Sequence, residues 1–179
     1  MIIEVKGVGL LSQKRKNEMT FLYCLLLLSI WISPFLFNRS DKKSLIFAYI
    51  FNACTNVVLD KFATKMNLIT YPTRLLHSFF KIHILFDLLL YPIVTVIYNQ
   101  MSSKEKDNLL SVAYKVFFFS IPLTVFEIWA DRKTGLIKWS AWWKWYHTLF
   151  SVSLKSLITR GFVELFRRWQ RSKANPRIT

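Results

Sequence analysis

The chain has 179 residues, 53% of them apolar and 17% aromatic, with four glycines and five prolines, a balance that excludes an ordinary water-soluble domain. Twenty-five Lys and Arg against ten Asp and Glu leave a charge of +15. The longest apolar stretches carry almost none of it, so it marks seams facing anionic lipid headgroups rather than a nucleic-acid surface.

Before the first apolar run lies a basic segment, residues 1–18, with Lys14, Arg15 and Lys16 at its end. The order of basic then apolar residues imitates a secretory signal, but no A-x-A-like cleavage site follows, and an uncleaved first helix is the more economical reading. Residues 19–37 form that helix, nineteen residues without a formal charge, about 30 Å long and so matched to the hydrocarbon core. A polar hinge with Arg39, Asp41, Lys42 and Lys43 separates it from a second, shorter apolar helix over 44–59, interrupted by Asn52 and Asn56. Asp60, Lys61, Lys65, Pro72 and Arg74 then predict a loop at the membrane surface.

A third helix is expected over 75–98, with Asp87 inside it and a kink at Pro92. The seam with Lys104, Glu105, Lys106 and Asp107 leads to a fourth helix over 109–130, which contains Lys115, Pro122 and Glu127. Residues 138–170 differ in kind: Trp139, Trp142, Trp143, Lys144 and Trp145 put aromatic and basic groups side by side, as at a lipid headgroup boundary. Within this segment Lys144, Thr148, Ser151, Lys155 and Thr159 fall on one helical stripe, with Tyr146, Phe150, Leu154 and Leu157 away from it. The helix therefore either lies along the bilayer surface or crosses with its stripe turned inward. A basic tail, 171–179, follows.

The expected fold is thus all-α, an integral membrane bundle of four spanning helices plus a C-terminal Trp-rich, basic helix that is interfacial or a fifth span. A cytoplasmic N-terminus puts the more basic seams inside if four helices cross; a fifth crossing would carry the basic tail outside and nearly remove that bias.

The run Tyr71-Pro72-Thr73-Arg74-Leu75-Leu76, continued by Ile84 to Gln100 with Asp87 and Tyr91-Pro92 inside it, resembles an uncharacterised family of small multi-pass membrane proteins from endospore-forming Gram-positive bacteria. Leu59-Asp60, Glu127, Gly135 to Trp139 and Trp143 extend the likeness over roughly residues 45 to 165. The resemblance implies a bacterial plasma-membrane location and a fifth apolar helix, and it brings no activity, cofactor or catalytic residue.

Several polar side chains within the apolar helices are candidates for function. Asn52, Asn56 and Asp60 recur every four residues and share one face that avoids lipid, as the lining of an ion or proton path or as interhelical hydrogen bonds with Asp60 paired to Lys61 or Arg74. Asp87 lies among leucines, where a bare carboxylate costs several kcal/mol by rough estimate; His83 one turn earlier, or Lys81, Asn52, Asn56 or Lys115 from elsewhere, is its expected partner. Glu127, one turn before Asp131, fits the headgroup level. His77, His83 and His147 show no metal-ligand spacing, and Cys24 and Cys54 lie inside apolar runs with no CxxC pattern.

Neither cofactor nor metal is expected. With no G-x-x-x-x-G-K-[ST], G-x-G-x-x-G or G-x-S-x-G motif, the leading expectation is a non-enzymatic accessory or assembly subunit, partnered by itself or by another membrane protein. The alternative is a small oligomeric ion or proton channel or transporter using Asp87 and the Asn52, Asn56 and Asp60 face.

Overall fold

A computed structural model describes residues 2–37, 41–75, 82–102 and 108–174, with side chains from residue 13 onward. The expected segments 76–81 and 103–107, which hold His77 and Lys81, lie outside the described residues, as does most of the basic tail. The described part is all-α apart from one two-residue strand pair: α1 (Ile2–Phe37), α2 (Lys42–Lys65), β1 (Ile69–Thr70), α3 (Tyr91–Ser102) entered through a π-helical turn (Phe86–Leu90), α4 (Leu109–Lys133), β2 (Lys138–Trp139) and α5 (Trp145–Ala174). Three of these helices are long and apolar enough to cross a membrane, within Gln13–Phe37, Lys42–Lys65 and Leu110–Lys133.

The helices outrun their apolar cores. The basic segment before Met19 is helical and continuous with α1, since no proline interrupts it. Instead of a loop from Asp60, α2 continues to Lys65, where Asn67 takes a left-handed conformation (φ 55°) and the amide of Leu68 returns to the Ala63 carbonyl at 2.9 Å. Asparagine tolerates that conformation better than most residues, which is how α2 stops without glycine. At its start α4 is capped by Asn108, whose Oδ1 accepts from the Ser111 amide at 3.1 Å.

The kink expected at Pro92 takes the form of the π turn. Proline offers no N–H, so the carbonyls of Leu88, four residues earlier, and Asp87, five earlier, both lack the backbone donor that residue 92 would supply in α and π geometry respectively. Two side chains of α2 replace it: Tyr49 Oη donates to the Leu88 carbonyl at 2.5 Å and Asn56 Nδ2 to the Asp87 carbonyl at 3.1 Å.

Residues 138–144 are not helical, contrary to the expected helix over 138–170. They belong to a crossover between loops: Ile69 pairs with Trp139 and Thr70 with Lys138, antiparallel. The pairing continues with the Thr73 amide donating to Gly135 at 2.7 Å and the Ser140 amide to Leu68 at 2.9 Å. Glu18 of α1 joins the same crossover, one carboxylate oxygen accepting from the Gly135 amide (2.7 Å), the other from Thr73 Oγ1 (2.6 Å). A Cβ on Gly135 would stand 3.1 Å from both Glu18 Oε2 and Thr73 Oγ1, a tight approach that a glycine relieves. Leu22, Ile69, Tyr71, Leu85, Phe86, Ala130, Leu136 and Ile137 form the apolar core beneath it.

From this covered end α5 runs the length of the bundle, antiparallel to α2. Lys155 lies level with Asn56, Phe162 with Phe51 (ring centroids 4.8 Å apart) and Phe166 with Phe47 (4.4 Å, stacked). The Arg167 guanidinium reaches Asp41 at 2.7 Å at the far end. Of the stripe of α5, Thr148 and Thr159 are buried and Lys155 is half-buried, while Lys144 and Ser151 are exposed; Phe150, Leu154, Leu157 and Leu165 face outward. Outward apolar rows also mark α1 (Leu27, Trp31, Phe35) and α4 (Leu110, Tyr114, Phe117, Ile121, Val125), far more exposed apolar surface than a water-soluble monomer carries.

Candidate functional site

Beneath the crossover, four helices and the loops after α2 and α4 line a half-open cavity of about 260 Å³. Asn56 and Asp60 reach it from α2, Asp87 from the π turn, Tyr91 from α3, Glu127 from α4, Lys155 and Thr148 from α5, and Tyr71 from the loop. Four of the expected candidates, Asn56, Asp60, Asp87 and Glu127, thus converge although they lie on three different helices.

Asp87 is 3% exposed. Its carboxyl and that of Asp60 line the same cavity within electrostatic reach of each other, and the Oδ2 atom of each is buried without a hydrogen-bond partner among the described residues. Two facing carboxylates repel, and a proton or a cation between them relieves the repulsion. The donor on Asp60 is not Lys61 or Arg74, as expected, but Tyr71, whose Oη donates to Oδ1 at 2.5 Å. Burial, and then the charge of Asp60, push the Tyr71 phenol well above its ordinary range, which keeps the hydroxyl a donor. Arg74 instead donates from Nη1 to the Tyr71 carbonyl at 2.5 Å and so holds the loop that presents the phenol.

Glu127 is turned into the protein. It is 8% exposed, because the start of α5 folds over it. Tyr91 Oη donates to Oε1, and Thr148 Oγ1 to Oε2 at 3.2 Å, while Trp143 Nε1 donates to Thr148 Oγ1 at 2.8 Å. Asn52 and Asn56 share a hydrogen bond, Asn56 Nδ2 to Asn52 Oδ1 at 3.0 Å. Asn52 is fully buried behind Asn56 and takes no part in the cavity wall.

The cation of the cavity is Lys155. Its ammonium donates to Asn56 Oδ1, stands 4.9 Å from the centre of the Tyr91 ring, and lies within electrostatic reach of Asp87, Glu127 and Asp60. Among the described residues one ammonium faces three carboxyls, an acidic chamber inside a strongly basic protein.

His83 does not join the chamber. Its ring is stacked on Phe86 (centroids 4.0 Å) and edge-on to Tyr71 (5.7 Å), fully buried, and only its main-chain oxygen meets Asp87, accepting from that residue's amide at 3.1 Å. The described residues hold no group of three or more His, Cys, Asp or Glu arranged to bind a metal. The expected anchors divide: Trp142 (82% exposed), Lys144 and Trp145 face outward, whereas Trp139 and Trp143 turn inward, Trp139 in the strand pair and Trp143 against the cavity. Tyr71, Tyr91, Lys155 and the Glu18 tether were not among the expected site residues. Lys155 carried a signal, as a member of the polar stripe of α5.

Comparison with family models, curated proteins and solved structures finds no match to the chain.

Proposed function

We propose that the chain is a multi-pass plasma-membrane protein in which α3 and α5 cross alongside the three long apolar helices, and that its chamber exchanges protons or small cations as the binding step of an oligomeric channel or carrier. The observation that carries this reading is the Asp60–Asp87 pair: two buried carboxyl oxygens with no donor among the described residues, on the wall of a cavity of about 260 Å³. In an apolar bundle such a pair is costly unless something labile occupies it. The antiparallel register of α5 with α2 supports five crossings, and the outward rows of α1, α4 and α5 supply a lipid-facing surface. With the N-terminus cytoplasmic, the chamber opens nearer the cytoplasmic end.

An accessory or assembly role draws on polar side chains in the helices that reach for a partner. Asn56, Glu127 and the Asp87 main chain meet theirs inside the chain, which favours exchange over assembly.

The test is proton uptake into proteoliposomes holding a trapped pH-sensitive dye, driven by a potassium diffusion potential. Uptake above that of protein-free vesicles, and lost in Asp87→Asn, is the expected result. Equal rates with and without protein overturn the reading.

A further inference from the structure

The chamber already recognises an ammonium group, its own. Lys155 places one against an amide oxygen (Asn56 Oδ1), an aromatic face (Tyr91) and three carboxyls, the set of partners by which proteins hold alkylammonium ions. One such group does not satisfy the site, because the Oδ2 atoms of Asp60 and Asp87 are buried with no donor among the described residues, that of Asp87 on a side chain 3% exposed. Nor does the lysine fill the space. A water occupies about 30 Å³ of liquid, so a cavity of about 260 Å³ has room for a small organic molecule. Its walls away from the carboxyls are Phe62, Phe86, Ile137, Val152 and Trp143, which suit an apolar body.

We infer that the chamber binds a small organic ammonium ion, with its charged end at the Asp60–Asp87 pair and its apolar body against Phe86 and Trp143, and that Lys155 is a tethered competitor whose ammonium is displaced when the ligand enters. This rests on the exchange reading above and names its substrate class. The site is selective by charge, since an anion of the same shape would meet three carboxyls. Removing the Lys155 charge tightens binding, because the carboxyls then face the ligand without a rival.

The experiment is calorimetric titration of the full chain in lipid nanodiscs with phenethylammonium, with phenylacetate as the anion of similar shape. Wild type is expected to bind phenethylammonium and not phenylacetate, and Asp87→Asn to bind it about tenfold or more weakly, as loss of a charge-assisted hydrogen bond requires. Lys155→Met is expected to bind roughly tenfold more tightly, a gain that misfolding cannot produce. Phenylacetate bound as well as phenethylammonium, no binding of either by wild type and Lys155→Met, or weaker binding in Lys155→Met each overturns the inference. Proton uptake by the same preparations separates the two readings: uptake without ammonium binding ends this inference alone, and absence of both ends both.

Discussion

Asn56 donates its side-chain amide to the main-chain oxygen of Asp87 at 3.1 Å, in place of the N–H that Pro92 lacks. The same side chain accepts from Lys155, so the defect made by one proline in α3 helps set where α2 and α5 stand. Asn56→Leu is expected to lower stability by about 1–3 kcal/mol, the cost of leaving a buried carbonyl unserved. In a Pro92→Ala background a backbone N–H returns, and the same substitution is expected to cost less. Unfolding in mild detergent of the two single variants and the double variant measures that coupling; strictly additive losses would show that Asn56 does not act through the proline.

The register of α5 against α2 gives a topological prediction. The rings of Phe51 and Phe162 meet at a tilt with centroids 4.8 Å apart. With Cys24 and Cys54 replaced, Phe51→Cys with Phe162→Cys is expected to crosslink in native membranes through a short bifunctional reagent, and Phe51→Cys with Tyr146→Cys is not, since residue 146 lies more than four turns away along α5. In the five-crossing reading, tags at the two ends of the chain report opposite sides of the membrane. Tags on the same side would leave α5 packed on α2 but not crossing.

Much of the chamber was legible because a charge or amide in an apolar helix has few places to go. Asp87 stood out on that ground alone, and Asn56 with Asp60 by recurring on one face of α2. Their meeting with Lys155 did not, since the height of one helix against another is set by contacts remote in sequence, such as Arg167 with Asp41, 126 residues apart. Tyr71 was hidden for a different reason: its direction follows from a strand pair of two residues each, too short for any alternation to show. The burial of Glu127 was hidden because nothing local revealed that the start of α5 would cover it.

Glu18 ties α1 to both loops of the crossover, through the Gly135 amide and Thr73 Oγ1. Glu18→Ala removes a charged acceptor from two donors, one of them main chain, and is expected to cost about 2–3 kcal/mol. Gly135→Ala leaves the bonds but pushes its methyl group against Glu18 and Thr73 at 3.1 Å, for a loss of about 1 kcal/mol. Thermal unfolding orders the two. Limited proteolysis in the loops after α2 and α4 is expected to speed up in Glu18→Ala, and unchanged cleavage there would mean that the crossover stands without the tether.

The facing carboxyls of Asp60 and Asp87 make opposite demands on stability and on exchange. Asp60→Asn keeps the shape, removes one of the repelling charges and gives Asp87 Oδ2 a donor that it lacks among the described residues. A net gain in stability of about 1 kcal/mol is expected, the worth of one added hydrogen bond, together with a loss of proton uptake, because a neutral amide neither takes up nor releases a proton near pH 7. A purely structural pair predicts the reverse: substitution would weaken the bundle, or leave it unchanged, without any transport to lose. A more stable protein that has stopped exchanging is thus the outcome that ties the carboxyl pair to function, since destabilised sites are kept where activity needs them.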